Sequence, residues 1–220
     1  GTLADPVDLP GEAFVVGIDV DADGQSDLRF EIPALSAGTI VNVFALADGA
    51  DVFLLAQLDG QVTVRIDPSV TQLRVLHLSP DSPPVDAFVD GVMPSNFQTI
   101  SFTESTRYTT LAAGNHSLDV SADGTVAGAV ISAPNLHLDS DGKYTAIAID
   151  SLEDISAIFF EDDATGLDEG KIRVRAIHAA PAVGQVDVLN IAADGTATAL
   201  VSNIDFGEFS NPLDINAGAY

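Results

Sequence analysis

The sequence predicts an all-β protein made of repeated sandwich modules, and three observations lead to that fold class. Short runs rich in Val, Ile, Phe and Thr alternate along the chain with Gly, Pro, Asn and Asp, which is the pattern of strands and turns. No window of a dozen or more residues carries the apolar stripe of a helix. Blocks of sequence also recur at a fixed spacing, which is the signature of a repeat architecture.

The recurring block holds an Arg, a His and a Pro in fixed order. Arg74–Asp86 reads RVLHLSPDSPPVD and Arg175–Asp187 reads RAIHAAPAVGQVD, with every matched pair 101 positions apart. A second internal similarity aligns Gly1–Phe14 with Gly207–Tyr220 at a separation of 206 residues, which is close to twice that spacing. These separations indicate modules of about 100 residues, the commonest domain size.

The repeat divides the chain into one complete module and incomplete modules at both ends. We expect the later part of a module at residues 1–70, a complete module at 71–170 and the beginning of a third at 171–220. Polar loops at Asp67–Gln72 and Glu161–Gly170 mark the boundaries. Three arrangements stay open for the incomplete modules: closure on each other within the chain, completion of neighbouring copies head to tail, or membership of a longer array.

The strands follow one another at the spacing of tandem Ig-like antiparallel β-sandwiches. Ile172, Val174 and Ala176 lie on one face of their strand. Arg173 and Arg175 lie on the other face, as in a strand with one solvated side. In chain order, the clearest strand runs are Phe14–Val20, Leu28–Ile32, Thr39–Leu46, Val52–Gln57, Gln61–Ile66, Leu73–Leu78, Val85–Val89, His116–Val120, Tyr144–Ile149, Ser156–Phe160, Ile172–Ile177 and Val186–Asn190.

The net charge of the chain restricts the classes of molecule that it can bind. It carries 33 acidic residues against 8 basic ones, which gives a net charge of −25 at pH 7. We therefore exclude nucleic acid as a partner, because phosphate binding needs clustered Lys and Arg. The absence of Cys excludes disulfides and thiol chemistry, and no apolar stretch is long enough to predict a transmembrane segment.

The sharpest chemical signal is the acidic loop Asp19–Asp27, DVDADGQSD, between two predicted strands. Its oxygen-bearing side chains alternate, Gly24 permits a sharp turn, and Ca²⁺ takes about six to eight oxygen ligands. Phe30 stands where the closing Glu of an EF-hand would be, so we expect a calcium-binding β-hairpin loop instead. The predicted ligands are Asp19, Asp21, Asp23, Gln25 and Asp27.

The corresponding hairpin of the middle module provides an internal comparison. Asp119–Thr125 reads DVSADGT, and Ser121 and Ala127 replace the second and the last carboxylate of the acidic loop. Asp-Gly is a good hairpin turn without any metal. We therefore expect a plain turn at this position.

Two further groups have both a structural and a functional interpretation. We expect the acidic cluster of Glu161–Glu169 to be a charged flexible linker, the alternative being a cation that ties two modules together. His77 and His178 recur once per module, so we expect them to hydrogen-bond their own loops. The alternative is proton transfer by His77 with Asp81 and Asp86, but no nucleophile motif such as G-x-S-x-G accompanies them.

The residues from Arg74 onward resemble the DUF4397 family. RVLHLSPDSPPVDAFVDG, the LAAG of Leu111–Gly114 and the GKYTAIA of Gly142–Ala148 are similar to the recurring pattern of those domains. RAIHAAPAVGQVDV and Asp205–Gly207 follow the same pattern, and Asp8–Gly11 corresponds to the LAAG segment. The resemblance implies a secreted or cell-surface β-sandwich, often in tandem, and brings no known catalytic residue.

Together these features predict a non-enzymatic extracellular or cell-surface structural protein, such as a filament, stalk or matrix component. Its incomplete modules are expected to bind other copies of the chain head to tail by strand complementation, with Ca²⁺ stiffening the acidic loop. The alternative is a surface adhesin or carbohydrate-binding module that takes a glycan through loops such as Ser79–Pro84. The chain has no Trp and three Tyr, which weakens this alternative because sugar-binding faces usually offer aromatic side chains.

Overall fold

The computed structural model describes residues 7–9, 11–20, 22, 24, 26–49, 51–58 and 63–218. Over these residues it is all-β, and a 3-10 turn at Val126–Gly128 is its one helical element. The strands are β1 Phe14–Ile18, β2 Leu28–Ile32, β3 Val41–Asp48, β4 Asp51–Leu58, β5 Thr63–Ile66, β6 Val70–His77, β7 Asp86–Val89, β8 Thr109–Ala112, β9 Gly114–Ser121, β10 Ala129–Leu138, β11 Lys143–Ile149, β12 Ser156–Glu161, β13 Lys171–Val174, β14 Val186–Ile191, β15 Ala197–Ile204 and β16 Leu213–Asn216. The predicted all-β class is confirmed.

The strands form several small sheets. The largest has four strands in the order β12-β11-β6-β8, and two sheets have three strands each, β10-β9-β7 and β3-β4-β5. The others are the two-stranded pairs β1-β2, β13-β16 and β14-β15. The Ig-like, tandem character of these sheets stays a prediction.

One strand pair departs from the expected antiparallel arrangement. β6 and β11 run parallel, with Leu73 opposite Tyr144 and Val75 opposite Ala146. The expectation of wholly antiparallel sheets is wrong at this pair. Four other strands separate β6 from β11 in the sequence, and such a long connection returns the chain to the sheet in its original direction.

The four-stranded sheet and the β10-β9-β7 sheet pack against each other. Residues from both sheets line one small apolar cavity of about 30 Å³. Its lining includes Val75 and Ala146 from one sheet and Leu118, Val120 and Ile131 from the other. β11 is buried at every position from Tyr144 to Ile149, because it lies between two neighbouring strands and its sheet is covered by apolar side chains.

The chain divides into two compact units. One comprises Gly1–Thr71, Leu111–Asn115 and His137–Asp141, and the other comprises Gln72–Thr110, His116–Leu136 and Gly142–Tyr220. The second unit therefore contains the predicted third module together with most of the middle one. The division of the chain into modules at residues 70 and 170 stays a prediction.

The first unit has a small core of its own. Phe30, Ile32 and Leu54 are buried, and the apolar side chains packed around them are Phe14, Val16, Ile18, Leu28, Val52 and Ile66. β3 differs from its neighbours, because every residue from Asn42 to Asp48 is exposed. Part of the apolar surface of residues 1–70 is thus buried, and β3 is left uncovered.

Candidate functional site

The acidic loop connects β1 to β2, and its first and last carboxylates bind the loop backbone. Asp19 accepts hydrogen bonds from the Ala22 N–H (2.6 Å) and the Gly24 N–H (2.9 Å). Asp27 accepts one from the Val20 N–H at 2.7 Å. These bonds help to hold the turn between β1 and β2, because each carboxylate reaches a backbone amide on another part of the turn.

The other three predicted calcium ligands, Asp21, Asp23 and Gln25, lie outside the described residues. Within the described ranges, no three or more His, Asp or Glu side chains form a group that could hold a metal ion. The structure places Asp19 and Asp27 on the same loop, and the calcium site stays a prediction.

The corresponding turn of the middle module is closed by hydroxyl groups. Asp123 accepts hydrogen bonds from the hydroxyls of Ser121 (2.7 Å) and Thr125 (2.9 Å) and from the Thr125 N–H (2.9 Å). These bonds, that of Ser121 first, hold the pKa of Asp123 below its usual value. Gly124 has a φ of +78°, which suits a tight turn. Asp119 accepts a hydrogen bond from Ser132 on the adjacent strand.

The two recurring histidines have the same surroundings. The Ser79 N–H donates to Nδ1 of His77 at 3.4 Å, and the Ala180 N–H donates to Nδ1 of His178 at 3.4 Å. On the other side of each ring, Nε2 of His77 lies 3.3 Å from the Pro83 carbonyl oxygen. Nε2 of His178 lies 2.9 Å from the corresponding carbonyl oxygen of its own loop. Each imidazole therefore accepts at Nδ1 and donates at Nε2.

The two carboxylates considered for proton transfer accept hydrogen bonds from backbone amides. Asp81 accepts a hydrogen bond from the Leu152 N–H at 2.7 Å, and Asp86 accepts one from the Thr99 N–H at 2.6 Å. Burial lowers the pKa of His77, which suits a neutral ring inside a folded loop. The observed geometry favours the structural interpretation of both histidines.

Arginine side chains contact the acidic cluster at the end of β12. We expected this segment to be a flexible linker, and the structure instead shows it bonded to its neighbours. Asp162 accepts hydrogen bonds from the Tyr108 hydroxyl (2.7 Å) and from Arg74 (3.5 Å). It also accepts one from the Thr145 hydroxyl. Burial and this carboxylate raise the pKa of Tyr108. Three neighbours converge on Asp162, so its position is fixed.

A second arginine joins the cluster to β16. Arg173 forms a bidentate pair with Asp214, at 2.7 and 2.8 Å, and donates to the backbone carbonyls of Asp163 and Thr165 at 3.1 Å. A planar guanidinium suits this fork-like contact. The segment after Glu161 is therefore held in place by named contacts.

The third arginine, Arg175, packs against two aromatic rings. Its guanidinium carbon is 4.1 Å from the centre of the Phe160 ring and 5.4 Å from that of Phe209, and both terminal nitrogens donate to the Glu161 carbonyl at 3.1 Å. Cation–π contacts of this kind contribute about 0.5–2 kcal/mol. Arg74, Arg173 and Arg175 line one cleft of about 330 Å³.

Sequence reasoning did not predict this arginine cleft. The available signal was the recurrence of Arg74 as Arg175 in a chain with eight basic residues. Each of the three arginines donates from at least one terminal nitrogen to a carboxylate or carbonyl oxygen of the chain. The cleft therefore joins strands of the second unit.

The described residues form an all-β protein in which the same histidine turn occurs at His77 and His178. The chain belongs to the DUF4397 family, because the family model, described as a domain of unknown function, matches residues 71–189. The resemblance seen in the sequence is thereby confirmed. No curated protein matches the chain, and no solved structure matches it. Among the described residues, no helix has the length and apolar character needed to cross a membrane.

Proposed function

We propose that the chain is a non-enzymatic structural part of an extracellular or cell-surface repeat protein, a filament, stalk or matrix component. It assembles with other copies by strand complementation between incomplete Ig-like modules. The observation that carries the proposal is the exposure of apolar strands on either side of the middle module. Val43 and Phe44 in β3 are 49% and 47% exposed, and Leu189 in β14 is 47% exposed.

Strand complementation suits these surfaces for a physical reason. The free edge of a strand presents unpaired N–H and C=O groups, which form hydrogen bonds with any strand laid beside them. Several exposed apolar side chains on the same strands add burial as a driving force. An added strand satisfies both the backbone groups and the side chains at once.

The remaining features support a mechanical role. The arginine cleft ties β6, β12, β13 and β16 to one another, which stiffens the second unit. The net charge of −25 keeps folded copies apart until specific surfaces meet. Neither feature needs a small-molecule substrate.

The mass of the 220-residue chain in solution tests the proposal. We expect light scattering to show a series of multiples of the chain mass, with larger multiples as protein concentration rises. Complementation between copies is a mass-action equilibrium, so dilution should return the monomer. A single monomeric species across the concentration range contradicts the proposal.

The predicted role of Ca²⁺ is tested in the same samples. We expect CaCl₂ to raise the unfolding midpoint relative to NaCl of equal ionic strength, because a cation relieves the repulsion among the clustered carboxylates of the acidic loop. Asp21→Asn and Asp27→Asn should remove the gain, and Asp123→Asn in the plain turn should keep it. An equal response in all three variants contradicts a site in the acidic loop.

A further inference from the structure

This inference rests on the assembly of copies that the proposed function requires, and it adds one surface that joins them. We infer that Phe102 of one copy packs against an uncovered face of the β3–β4 hairpin in a second copy, around Phe44 and Leu46. The contact is made by side chains alone. It therefore needs neither an open strand edge nor a missing strand.

The chain contains two turns of the same structure, one before β8 and one after β15. Residues 101–104 read SFTE and residues 205–208 read DFGE, and we call these segments the Phe turns. In both, the last residue donates its backbone N–H to the carbonyl of the first residue, at 2.9 Å for Glu104 and 3.0 Å for Glu208. Its carboxylate accepts a hydrogen bond from the backbone N–H of the first residue, at 2.9 Å in one turn and 3.4 Å in the other. The two segments thus adopt the same closed turn.

Each Phe turn is held by one of the recurring histidines. The Thr103 N–H donates to the His77 carbonyl at 2.7 Å, and the Gly207 N–H donates to the His178 carbonyl at 2.9 Å. The φ angles are +71° at Thr103 and +80° at Gly207, so both turns bend through the left-handed region. In both, the Phe ring stands edge-on to the imidazole, at interplanar angles of 81° and 86°. The turn itself therefore sets the direction of the ring.

The second Phe turn shows the kind of surface against which this ring packs. Phe206 packs against three buried isoleucines of the four-stranded sheet, Ile147, Ile149 and Ile158. Ile147 and Ile149 lie two positions apart on β11, and Ile158 lies opposite Ile147 on the antiparallel neighbour β12. The ring of a Phe turn thus fits an apolar patch that spans two neighbouring strands.

Phe102 stands on the same turn without that cover. It is 46% exposed. A single exposed Phe needs no explanation by itself. The comparison with Phe206 supplies the further observation, because it shows what a ring in this position packs against.

The β3–β4 hairpin presents an uncovered patch with the same arrangement. Phe44 and Leu46 lie two positions apart on β3, and Leu55 lies opposite Phe44 on the antiparallel neighbour β4. Phe44 is 47% exposed and Leu46 is 40% exposed. Successive side chains of a strand alternate between its two faces. These three therefore lie on the face opposite to that of Leu54, which is buried in the core of the first unit.

The two patches also resemble each other at their margin. Leu46 lies opposite Phe53 in the hairpin, and the guanidinium carbon of Arg65 is 3.8 Å from the centre of the Phe53 ring. Beside the isoleucine patch, the guanidinium carbon of Arg175 is 4.1 Å from the centre of the Phe160 ring. Each patch is thus bordered by a Phe ring that an arginine covers.

A second copy of the chain is the partner that these surfaces fit. Each chain carries both of them, an exposed Phe turn and an uncovered patch, so copies can join head to tail. The apolar patch residues are uncharged, whereas the whole chain carries a net charge of −25. Two copies can therefore meet at this place without bringing carboxylates of the patch together.

Cysteine cross-linking tests the contact, because the chain has no Cys of its own. Ser101→Cys lies next to Phe102, and Asn42→Cys lies on the patch side of β3, so neither change removes the ring or the patch. The two variants are mixed in equal amounts at an assembling concentration and treated with a short bismaleimide. One of them carries nitrogen-15, so mass spectrometry identifies the mixed dimer.

The control mixture combines Ser101→Cys with Val64→Cys. Val64 lies opposite Ala56, on the other face of the same sheet, and is 50% exposed. We expect the mixed dimer to be several-fold more abundant with Asn42→Cys than with Val64→Cys. Equal yields overturn the proposed contact.

A second set of variants tests the contact without any cross-link. Phe44→Asp and Phe102→Asp should each lower the fraction of assembled chains several-fold, because each places a charge in an apolar contact. Val64→Asp is the matched control on the other face of the sheet and should assemble as the parent does. Circular dichroism of dilute samples shows whether each variant keeps the β fold. Equal assembly by Phe44→Asp and Val64→Asp overturns the role of the patch.

The outcomes separate this inference from the function on which it rests. Assembly that is unchanged in Phe44→Asp and Phe102→Asp overturns the contact and leaves strand complementation standing. A cross-linked monomer in the double variant Ser101→Cys/Asn42→Cys at high dilution overturns the second copy as partner, because one chain then supplies both surfaces. A chain that stays monomeric at every concentration overturns the proposed function and the inference together.

Discussion

At the scale of single residues, the recurring histidine is the most regular feature of the chain. His77 and His178 each receive a backbone N–H two residues later and face a carbonyl of the following loop. Phe102 and Phe206 stand edge-on to the two rings, with centroids 6.4 and 6.0 Å away. A neutral imidazole suits both contacts, so the histidine shapes the loop after the strand.

This geometry predicts a pH dependence of stability. Burial lowers the pKa of His77, so the unfolded chain binds this proton more readily than the folded chain. The stabilisation is complete above the ordinary His pKa of about 6.5 and is lost as the pH falls through that value toward the folded pKa. We expect urea denaturation to give a smaller free energy of unfolding at pH 5.5 than at about 7.5.

The control for this prediction uses a residue that cannot titrate. His77→Gln keeps a donor for the Pro83 carbonyl, and we expect it to reduce the loss of stability between the two pH values. His137→Gln changes an exposed histidine outside both histidine loops and is the matched substitution. An undiminished loss in His77→Gln contradicts the assignment.

The structural role of the histidine could be predicted because the residue recurs in the sequence. The arginine cleft could not be predicted, because its contacts join residues that are far apart in the chain. A residue that repeats once per module is most simply structural, and His77 needs partners within six positions in the chain. Arg74 and Asp162 lie 88 positions apart, so their contact depends on the pairing of β6 with β11. The spacing of carboxylates in the sequence identified the acidic loop. That spacing does not determine the positions of the carboxylate oxygens, so it could not predict which of them bond to the loop backbone.

At the scale of elements, the composition of the sequence predicted where strands lie better than it predicted which strands pair in a sheet. Each of the clearest runs overlaps a strand. β8, β10, β15 and β16 lie outside those runs because Ala and polar residues dilute their apolar residues. β10 also contains Pro134, which is tolerated because β10 is an edge strand of its sheet.

The contrast between β3 and β4 leads to a prediction on stability. Leu54 in β4 is buried in the core of the first unit, so Leu54→Ala should lower the free energy of unfolding by about 2–4 kcal/mol. Val43→Ala in the adjacent strand removes an exposed side chain and should change it by about 0.5 kcal/mol or less in dilute monomer. Chemical denaturation measures both. Equal losses contradict the small core formed by Phe30, Ile32 and Leu54.

At the scale of the whole molecule, charge opposes the assembly that the exposed strands favour. Each copy carries a net charge of −25, and two such copies repel over the screening length of about 10 Å at 0.1 M salt. We expect the mean mass in light scattering to rise with NaCl concentration at fixed protein concentration. Uncharged sucrose at matched osmolality controls for crowding. A mass that falls with added salt contradicts assembly through apolar strands.

The parallel pairing of β6 with β11 also sets a delay during translation, because the two strands are far apart in the sequence. Leu73 pairs with Tyr144, so β6 leaves the exit tunnel 71 residues before its neighbour in the sheet. At about 5–20 residues per second, the flank of β6 stays uncovered for several seconds of translation.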